Sequence, residues 1–592
     1  MPGTNYEFFA KFARILNSNQ SRSIVLSGNV YDLFDNGREG TGQNYVPLIP
    51  MLCERSATQR LFRVVYELNG PVRVLDGAEI LKNAWIAWKS GVDPDTLLLR
   101  ELRAKGPSRH SLLADQFEQL LQDAIGNPTL ALELLRQLTV CSRSSQLSGD
   151  LLIFIEAADM LLPAGNGDVA ALNDSQLHRI SIIHDWFNDP AFLAGGDSVC
   201  LVAESRSLIH PRIAKLPQVL SIDIPSPNAG ERVRYIEHYC HTARRRPEFW
   251  STADELAVYT AGLSNHALRQ LLAAGSYQED PIQPADVVDK VEAFIQSQIG
   301  EDVVEFKRVS HGLDDVVGFS KLKQFINKEL MPRFRASGAA ALTGAAVAGP
   351  IGGGKTFIFE AVAGELDMPV LVLKNIRSQW FGQTDVIFER LRRVLEALDK
   401  VVIFVDEADT QFGGVGAETH STERRLTGKI QAMMSDPRLR GRVIWLLMTA
   451  RINLLSPDLR RPGRVGDLII PVLDPEGDDR LDFLRWTVQR ELPNVEPGEI
   501  NRLDGLTPGY SAAAFASLRS HLAAAEPKSI DEVAEIISDH IQPAIELTRR
   551  YQTLQALLNC TRRSLLPSPD VDDATRQQWQ LEINRLEGIG VR

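Results

Sequence analysis

Gly349-Pro-Ile-Gly-Gly-Gly-Lys355-Thr356 is followed further along the chain by Val401-Val-Ile-Phe-Val-Asp406-Glu407. The first stretch has the spacing G-x-x-x-x-G-K-[ST], in which glycines let backbone N–H groups close around phosphates. In that pattern Lys355 reaches the β- and γ-phosphates and the Thr356 hydroxyl ligates Mg²⁺. The second stretch is an unbroken apolar run, read as a buried parallel strand that delivers Asp406 to the metal side of the same pocket. Glu407, the next residue, stands where a general base would polarise an attacking water. Each half supplies what the other lacks, so the pair predicts a site that binds a nucleoside triphosphate and hydrolyses it. It also predicts the fold: α/β, a doubly wound parallel sheet with the phosphate loop at a strand's carboxyl end.

Further strands are expected at Ala345–Ala348, Val370–Leu373 and Val443–Met448 beside Val401–Val405, with helices between most of them. The α/β nucleotide domain is read over 313–474. From about 475 the chain turns Ala/Leu/Glu-rich, which predicts a helical lid over 475–547. Residues 296–312 read as a charged linker. Residues 548–592 read as a helical extension broken near Leu566-Pro567-Ser-Pro569, with no legible function.

The first half repeats the second at nearly constant spacing. Leu152-Ile-Phe-Ile-Glu156-Ala157-Ala158-Asp159 aligns with Val402-Ile-Phe-Val-Asp406-Glu407-Ala408-Asp409. Thr260-Ala-Gly262-Leu-Ser264 aligns with Thr507-Pro-Gly509-Tyr-Ser511, and Arg232 with Arg480. A tandem duplication follows, with a first α/β domain over 1–225 and its helical lid over 226–295. This first copy is degenerate. Its strand Ser23–Gly28 runs into Asn29-Val-Tyr-Asp with no Gly-Lys-Thr, and Ala157 cannot orient water as Glu407 could.

At 592 residues the chain exceeds a single core, and its 44% hydrophobic and 24% charged content is that of an ordinary globular protein. The net charge of −12 argues against a nucleic-acid partner. Five scattered cysteines without CxxC spacing indicate a reducing compartment and no structural zinc. The N-terminus lacks the apolar core of a signal peptide, and no apolar run reaches the roughly 18 residues of a membrane helix. A cytoplasmic protein without an integral membrane segment is expected.

Thr449-Ala-Arg-Ile-Asn-Leu-Leu-Ser-Pro-Asp-Leu-Arg-Arg-Pro-Gly-Arg464 closely resembles the second region of homology of AAA+ ATPases, in the AAA clade. Leu313-Asp-Asp-Val-Val-Gly318 resembles the start of that module, and Gly509-Tyr-Ser-Ala-Ala-Ala-Phe its lid signature. The resemblance is strong over about 313–525 and weak over 20–295. It implies ATP and Mg²⁺ as cofactors. Val317, Gly318, Gly349, Pro350, Ile351, Gly352, Gly353, Gly354, Lys355, Thr356, Phe357 and Gly509 would bind ATP, with Thr356 and Asp406 on the metal.

The resemblance also implies a homo-oligomeric ring, commonly a hexamer, with ATP at subunit interfaces. Arg461 and Arg464 would then act as arginine fingers on a neighbour's phosphoryl group, and Glu407 and Thr449 would complete the catalytic set. The family carries Asn after the sensor threonine, where this chain has Ala450, so Thr449 or Asn453 would have to substitute. Ala512 likewise stands where the lid signature has Gly. Trp380-Phe381-Gly382 matches the aromatic-hydrophobic-Gly loop that grips an extended polypeptide in a central pore. Gly413-Gly-Val-Gly416 reads either as a second pore element or as a surface loop.

Two functions are expected from this. One is an ATP-driven ring that remodels, threads or disassembles a protein substrate; the alternative is an ATP-controlled assembly or scaffold protein with slow hydrolysis.

Overall fold

The computed structural model describes the chain apart from residues 1–4, 38–43, 57–60, 94, 98, 100–108, 144–146, 148, 166–171, 278–280, 301–302, 308, 310, 367, 375–383, 399, 413–420, 569 and 592, and apart from the side chains of 339, 384–386 and 421–427. Trp380, Phe381, Gly382 and the Gly413–Gly416 loop lie outside the described residues. The chain divides into two compact units: Met1–Phe294 with Gly382–Ala397, and Ile295–Phe381 with Leu398–Arg592.

In the first unit the strands are β1 Ser23–Gly28, β2 Leu33–Asp35, β3 Tyr45–Pro47, β4 Leu61–Tyr66, β5 Val72–Val74, β6 Asp150–Ile155, β7 Ser198–Ala203 and β8 Val219–Ile224. Six of them form one sheet in the order β5-β4-β6-β7-β1-β8, and β2 and β3 make a separate antiparallel ribbon. Side chains alternate between two cores. Leu151, Ile153 and Ile155 face one cluster, and Leu152 and Phe154 face another. A strand buried on both faces shows no polar alternation, which is why these segments read as continuous apolar runs.

The second unit holds β9 Val304–Lys307, β10 Gly344–Ala348, β11 Val370–Leu373, β12 Val401–Val405, β13 Val443–Thr449 and β14 Ile469–Pro471. Its sheet order is β14-β10-β13-β12-β11-β9. Read from the other edge, this matches the first sheet strand for strand, with β4, β6, β7, β1 and β8 answering to β11, β12, β13, β10 and β14. The four expected strands form where the sequence puts them. The stretch 296–312, read as a linker, instead contributes β9, which pairs antiparallel with β11. In the first unit the same edge is filled by β5, which follows β4 in the chain. An edge strand needs only one bonded side and one covered face, so β9 carries too little apolar signal to be separated from a connector.

The two copies agree in backbone detail. Gly28 and Gly349 follow equivalent strand positions, since Ser27 pairs with Ala203 and Ala348 with Thr449. A Cβ on Gly28 would sit 2.4 Å from the Ile224 carbonyl oxygen, and one on Gly349 would sit 2.0 Å from that of Val472. Only glycine permits either approach. Ala157 and Glu407 share a left-handed backbone, with φ of 50° and 46°. That conformation is costly for a residue with a Cβ. Its presence in the first copy shows that the strand-end geometry outlasts the carboxylate. Ser264 and Ser511 each cap the helix that follows, accepting from Ala267 N–H at 3.2 Å and Ala514 N–H at 3.1 Å. Arg232 donates to the Ala257 carbonyl at 2.9 Å, where Arg480 reaches the Asp504 carboxylate at 2.6 Å.

The phosphate-loop position of the first copy is filled by its own carboxylate. Asp32, four residues beyond Gly28 and 1% exposed, accepts from the backbone N–H of Asn265 and of His266, both at 2.9 Å, and from Asn29 Nδ2 at 2.8 Å. An internal anion thus occupies the N-terminus of the lid helix Asn265–Tyr277, where the positive end of the helix dipole favours negative charge. Burial pushes the Asp32 carboxyl pKa up, and those three donors oppose the shift. Asp32→Ala leaves the buried Asn265 N–H and the partly buried His266 N–H without their acceptor and should destabilise the protein by about 1–3 kcal/mol. A urea titration in which the first transition does not move would remove this role.

Candidate active site

β10 ends at Ala348 and β13 at Thr449, in register with one another, while β12 ends at Val405 beside Leu447. The loop 349–354, the Asp406-Glu407 pair and Thr449 therefore emerge at one level. A cavity of about 820 Å³ is lined by Ile351 to Phe357, Asp406, Glu407, Asp409 and Thr449, among others, while Gly349 and Pro350 at the start of the loop do not line it. This is the carboxyl edge of the parallel strands, where ligands bind in open α/β sheets.

The loop is shaped by glycines. Gly352 and Gly354 have φ of 77° and 83°, and Gly354 caps the helix Lys355–Glu365. Lys355 Nζ donates to the carbonyls of Gly349 at 3.0 Å and Pro350 at 2.9 Å. Burial pushes its pKa down, opposed by the negative charges of Asp406, Asp474 and Asp409. Thr356 Oγ1 lies 3.3 Å from Asp406 Oδ2, so hydroxyl and carboxylate meet from two elements far apart in sequence. Asp406 Oδ1 also accepts the Glu407 N–H at 2.8 Å. Two oxygen donors side by side suit a hard divalent cation such as Mg²⁺, which binds through few protein oxygens and keeps several waters.

Thr449 is 1% exposed and donates its hydroxyl to Asp409 Oδ1 at 2.6 Å. Arg451 Nε holds the other oxygen of Asp409 at 2.7 Å, and Arg451 itself lines the cavity. Ala450 lines the cavity with a methyl group. Asn453, considered as a substitute sensor, is not among the lining residues. Its Nδ2 donates to the Tyr551 hydroxyl at 3.1 Å.

The lining also includes the apolar residues Val317, Phe319, Phe357, Phe483, Trp486 and Ala512. Phe319 meets Phe483 edge-on at 5.5 Å, and the Arg519 guanidinium caps Trp486 at 4.1 Å. A planar base fits such a lining. Phe357 stacks on His311, with ring centroids 4.1 Å apart. Ala512 is near enough that a Cβ on Gly354 would meet its methyl at 3.4 Å, so the lid helix closes directly over the loop. Gly318 and Gly509 do not line the cavity. Gly318 is a turn residue with φ 64° packed on Phe483, and Gly509 offers its carbonyl to Arg549 NH1 at 3.3 Å.

Arg461 and Arg464 also lie apart from the lining. Arg461, 69% exposed, pairs with Asp458 at 2.5 Å. Arg464 donates to Ser435 Oγ at 3.1 Å and to the Asp458 carbonyl at 2.7 Å. Several lining residues were not picked out in the sequence: Arg451, Phe483, Trp486, Thr548 and Gln552. Arg451 carried only the signal of a cation after a strand end. The others come from helices whose order in the chain says nothing about which loop they cover.

In the first unit a cavity of about 570 Å³ is lined by Val30, Tyr31, Glu67, Glu156 and His266 among others, again at the strands' carboxyl edge. No lysine is among its lining residues.

Residues 6–225 match the family described as "AAA+ chaperone, N-terminal Rossmann-like domain", and 345–471 match "ATPase family associated with various cellular activities (AAA)". The chain is 30% identical to a cell division cycle protein 48 homolog of Archaeoglobus fulgidus over 252 residues, covering 40% of this chain and 33% of that protein. It is 31% identical to an ATP-dependent zinc metalloprotease FtsH of Acidothermus cellulolyticus over 239 residues, 38% of this chain and 34% of that one. It is 30% identical to the human ATPase family gene 2 protein homolog A over 185 residues, 30% of this chain and 21% of that protein. The chain thus spans about a third or less of these relatives. Strand order, phosphate loop and both family matches agree: residues 345–471 are an AAA ATPase domain, preceded over 6–225 by an N-terminal Rossmann-like domain of the AAA+ chaperone type.

Proposed function

We propose that this chain hydrolyses ATP and works as a homo-oligomeric ring, a hexamer as is common in its family, to remodel, thread or disassemble a protein substrate. The observation that carries the reading is the convergence of Lys355, Thr356, Asp406, Glu407 and Thr449 on one cavity of about 820 Å³. Lys355 exchanges its two loop carbonyls for phosphate oxygens. Thr356 and Asp406 would hold Mg²⁺, which would supply Lewis-acid stabilisation of charge on the phosphoryl group. Glu407 accepts the proton of the attacking water. Arg461 and Arg464, outside their own chain's cavity and on an exposed segment, are offered to a neighbour's phosphate. Trp380, Phe381 and Gly382 are proposed to grip the substrate. Among the described residues no helix is long and apolar enough to cross a membrane, and a cytoplasmic location remains part of the proposal.

One observation favours the second reading, an ATP-controlled scaffold with slow turnover. Ala450 presents only a methyl to the cavity, and the Thr449 hydroxyl is donated to Asp409, so neither orients water. Substrate-stimulated turnover that disappears in Trp380→Ala supports the remodelling reading; slow turnover indifferent to that change supports the scaffold.

Lys355→Ala should abolish ATP binding to the second unit, measured with labelled nucleotide. Glu407→Gln should retain binding while stopping turnover, because the amide fits but takes no proton. A Gln variant with normal turnover removes Glu407 as the base.

Arg464→Ala should leave ATP binding intact and depress turnover by about 10³. Mixing it with Lys355→Ala subunits should restore part of the activity if the arginine acts across an interface. Absence of recovery in rings of normal size counts against that placement.

One ATP should bind per chain. The first unit has no loop lysine, its Asp32 already occupies the N–H groups of Asn265 and His266, and Ala157 replaces the base. Micromolar binding that survives Lys355→Ala would make the first unit a live nucleotide site.

A further inference from the structure

The helix Glu546–Asn559 belongs to the extension that follows the lid, and its side chains reach the phosphate loop. Gln552, 2% exposed, accepts the Ile351 backbone N–H on Oε1 at 3.0 Å. Arg549 Nε donates to the Ile351 carbonyl at 3.2 Å. Both backbone groups of one loop residue are thus taken by side chains three apart on one helix face. Arg549 is itself fixed: its NH1 donates to the Gly509 carbonyl at 3.3 Å, and its NH2 pairs with Asp474 at 2.5 Å. Meanwhile the Ile351 side chain stays 51% exposed, and both it and Gln552 line the cavity.

The same helix also reaches the segment that follows β13. The Tyr551 hydroxyl accepts from Asn453 Nδ2 at 3.1 Å and donates to Glu587 Oε1 at 2.8 Å. Arg550 pairs with Glu582 at 2.8 Å, tying Glu546–Asn559 to the final helix Asp573–Gly588. A loop of glycines has little conformational preference of its own, so its geometry must be imposed by what surrounds it. If the extension served only to cover apolar surface, it would present aliphatic side chains to the loop. It presents a buried amide and a guanidinium, each bonded to loop backbone.

We propose that the helix Glu546–Asn559 is a positioning element of the nucleotide site, in which Gln552 and Arg549 set the conformation of the phosphate loop at Ile351. The inference rests on the ATP reading of the cavity. The extension thereby couples the loop that holds phosphate to the segment following β13. Neither residue performs chemistry; they pre-organise the backbone that ATP meets, and preorganisation shows in affinity.

The test uses the full chain, with equilibrium binding of labelled ATP and steady-state turnover. Gln552→Leu keeps volume and removes the acceptor, so Kd and KM for ATP should rise about tenfold, the size expected for one buried bond left unmade, with kcat within about twofold. Gln552→Glu still accepts from Ile351 and should recover most of that loss, which a merely space-filling role would not distinguish from Leu. Arg549→Ala should also raise Kd about tenfold. Leu581→Ala, on an exposed position of the final helix, serves as the control and should change neither constant. A Gln552→Leu protein with unchanged Kd overturns the proposal. If that variant does not fold, Arg549→Ala decides alone, and an unchanged Kd overturns it. Wild-type protein that binds no ATP removes the site reading itself, a result distinct from equal affinities in wild type and variants.

Discussion

The site depends on register among three parallel strands. β10, β12 and β13 are hydrogen-bonded neighbours or next neighbours, and their pairing sets Ala348 against Thr449 and Val405 against Leu447. A slip of one residue would turn every side chain to the opposite face. Here both faces are buried, so a slip would exchange Ala346 and Val347, or Ile403 and Phe404, between packed environments already filled to capacity. Register is therefore held by the whole core, and the glycine loop, the acidic pair and Thr449 inherit a common level from it. Gly349 sharpens the constraint, because only a residue without Cβ fits against the Val472 carbonyl.

The first unit shows how much of that architecture survives without the chemistry. Strand order, the glycine at the loop entrance, the left-handed residue after β6 and the serine cap of the lid helix are all retained. What differs is the edge strand, the β2–β3 ribbon and the loop that follows Gly28. Where the second unit has a loop lysine and a base, the first has Asp32 bonded to its lid helix, and Ala157. The Asp32 carboxylate takes the His266 N–H of the first lid helix, where the equivalent Ala513 N–H of the second copy donates to the Gly352 carbonyl at 3.0 Å. Both lids are thus bonded to their sheet domains through the N-terminus of one helix, the first by a carboxylate and the second by a loop carbonyl.

Within the second unit the polar contacts divide by burial. Asp409, 6% exposed, is shared between Thr449 and Arg451, which holds the strand-end loops together and leaves Ala450 facing the cavity. Asp406 and Glu407 are exposed to the cavity and make few protein contacts, as groups must that exchange partners with a ligand. The extension beyond the lid adds a third class, side chains that bond the loop backbone.

The fold class, the four central strands of the second unit, the glycine loop, the acidic pair and the duplication were all legible in the order of residues. Those signals are local: an apolar run marks a strand buried on both faces, and a glycine pattern marks a loop that closes on phosphate. That order also carried the absence of lysine and base in the first copy, since a missing side chain is read directly. Only the tertiary structure decided that residues 304–307 complete a sheet edge, that Asn453 is bonded to Tyr551 away from the cavity, that Asp32 occupies the first copy's loop position, and that Gln552 and Arg549 grip Ile351. Each of these is a contact between segments far apart in the chain, formed by polar side chains common on any surface. Composition and spacing carry no record of which distant backbone group such a side chain meets; packing of the helices on the sheet decides it.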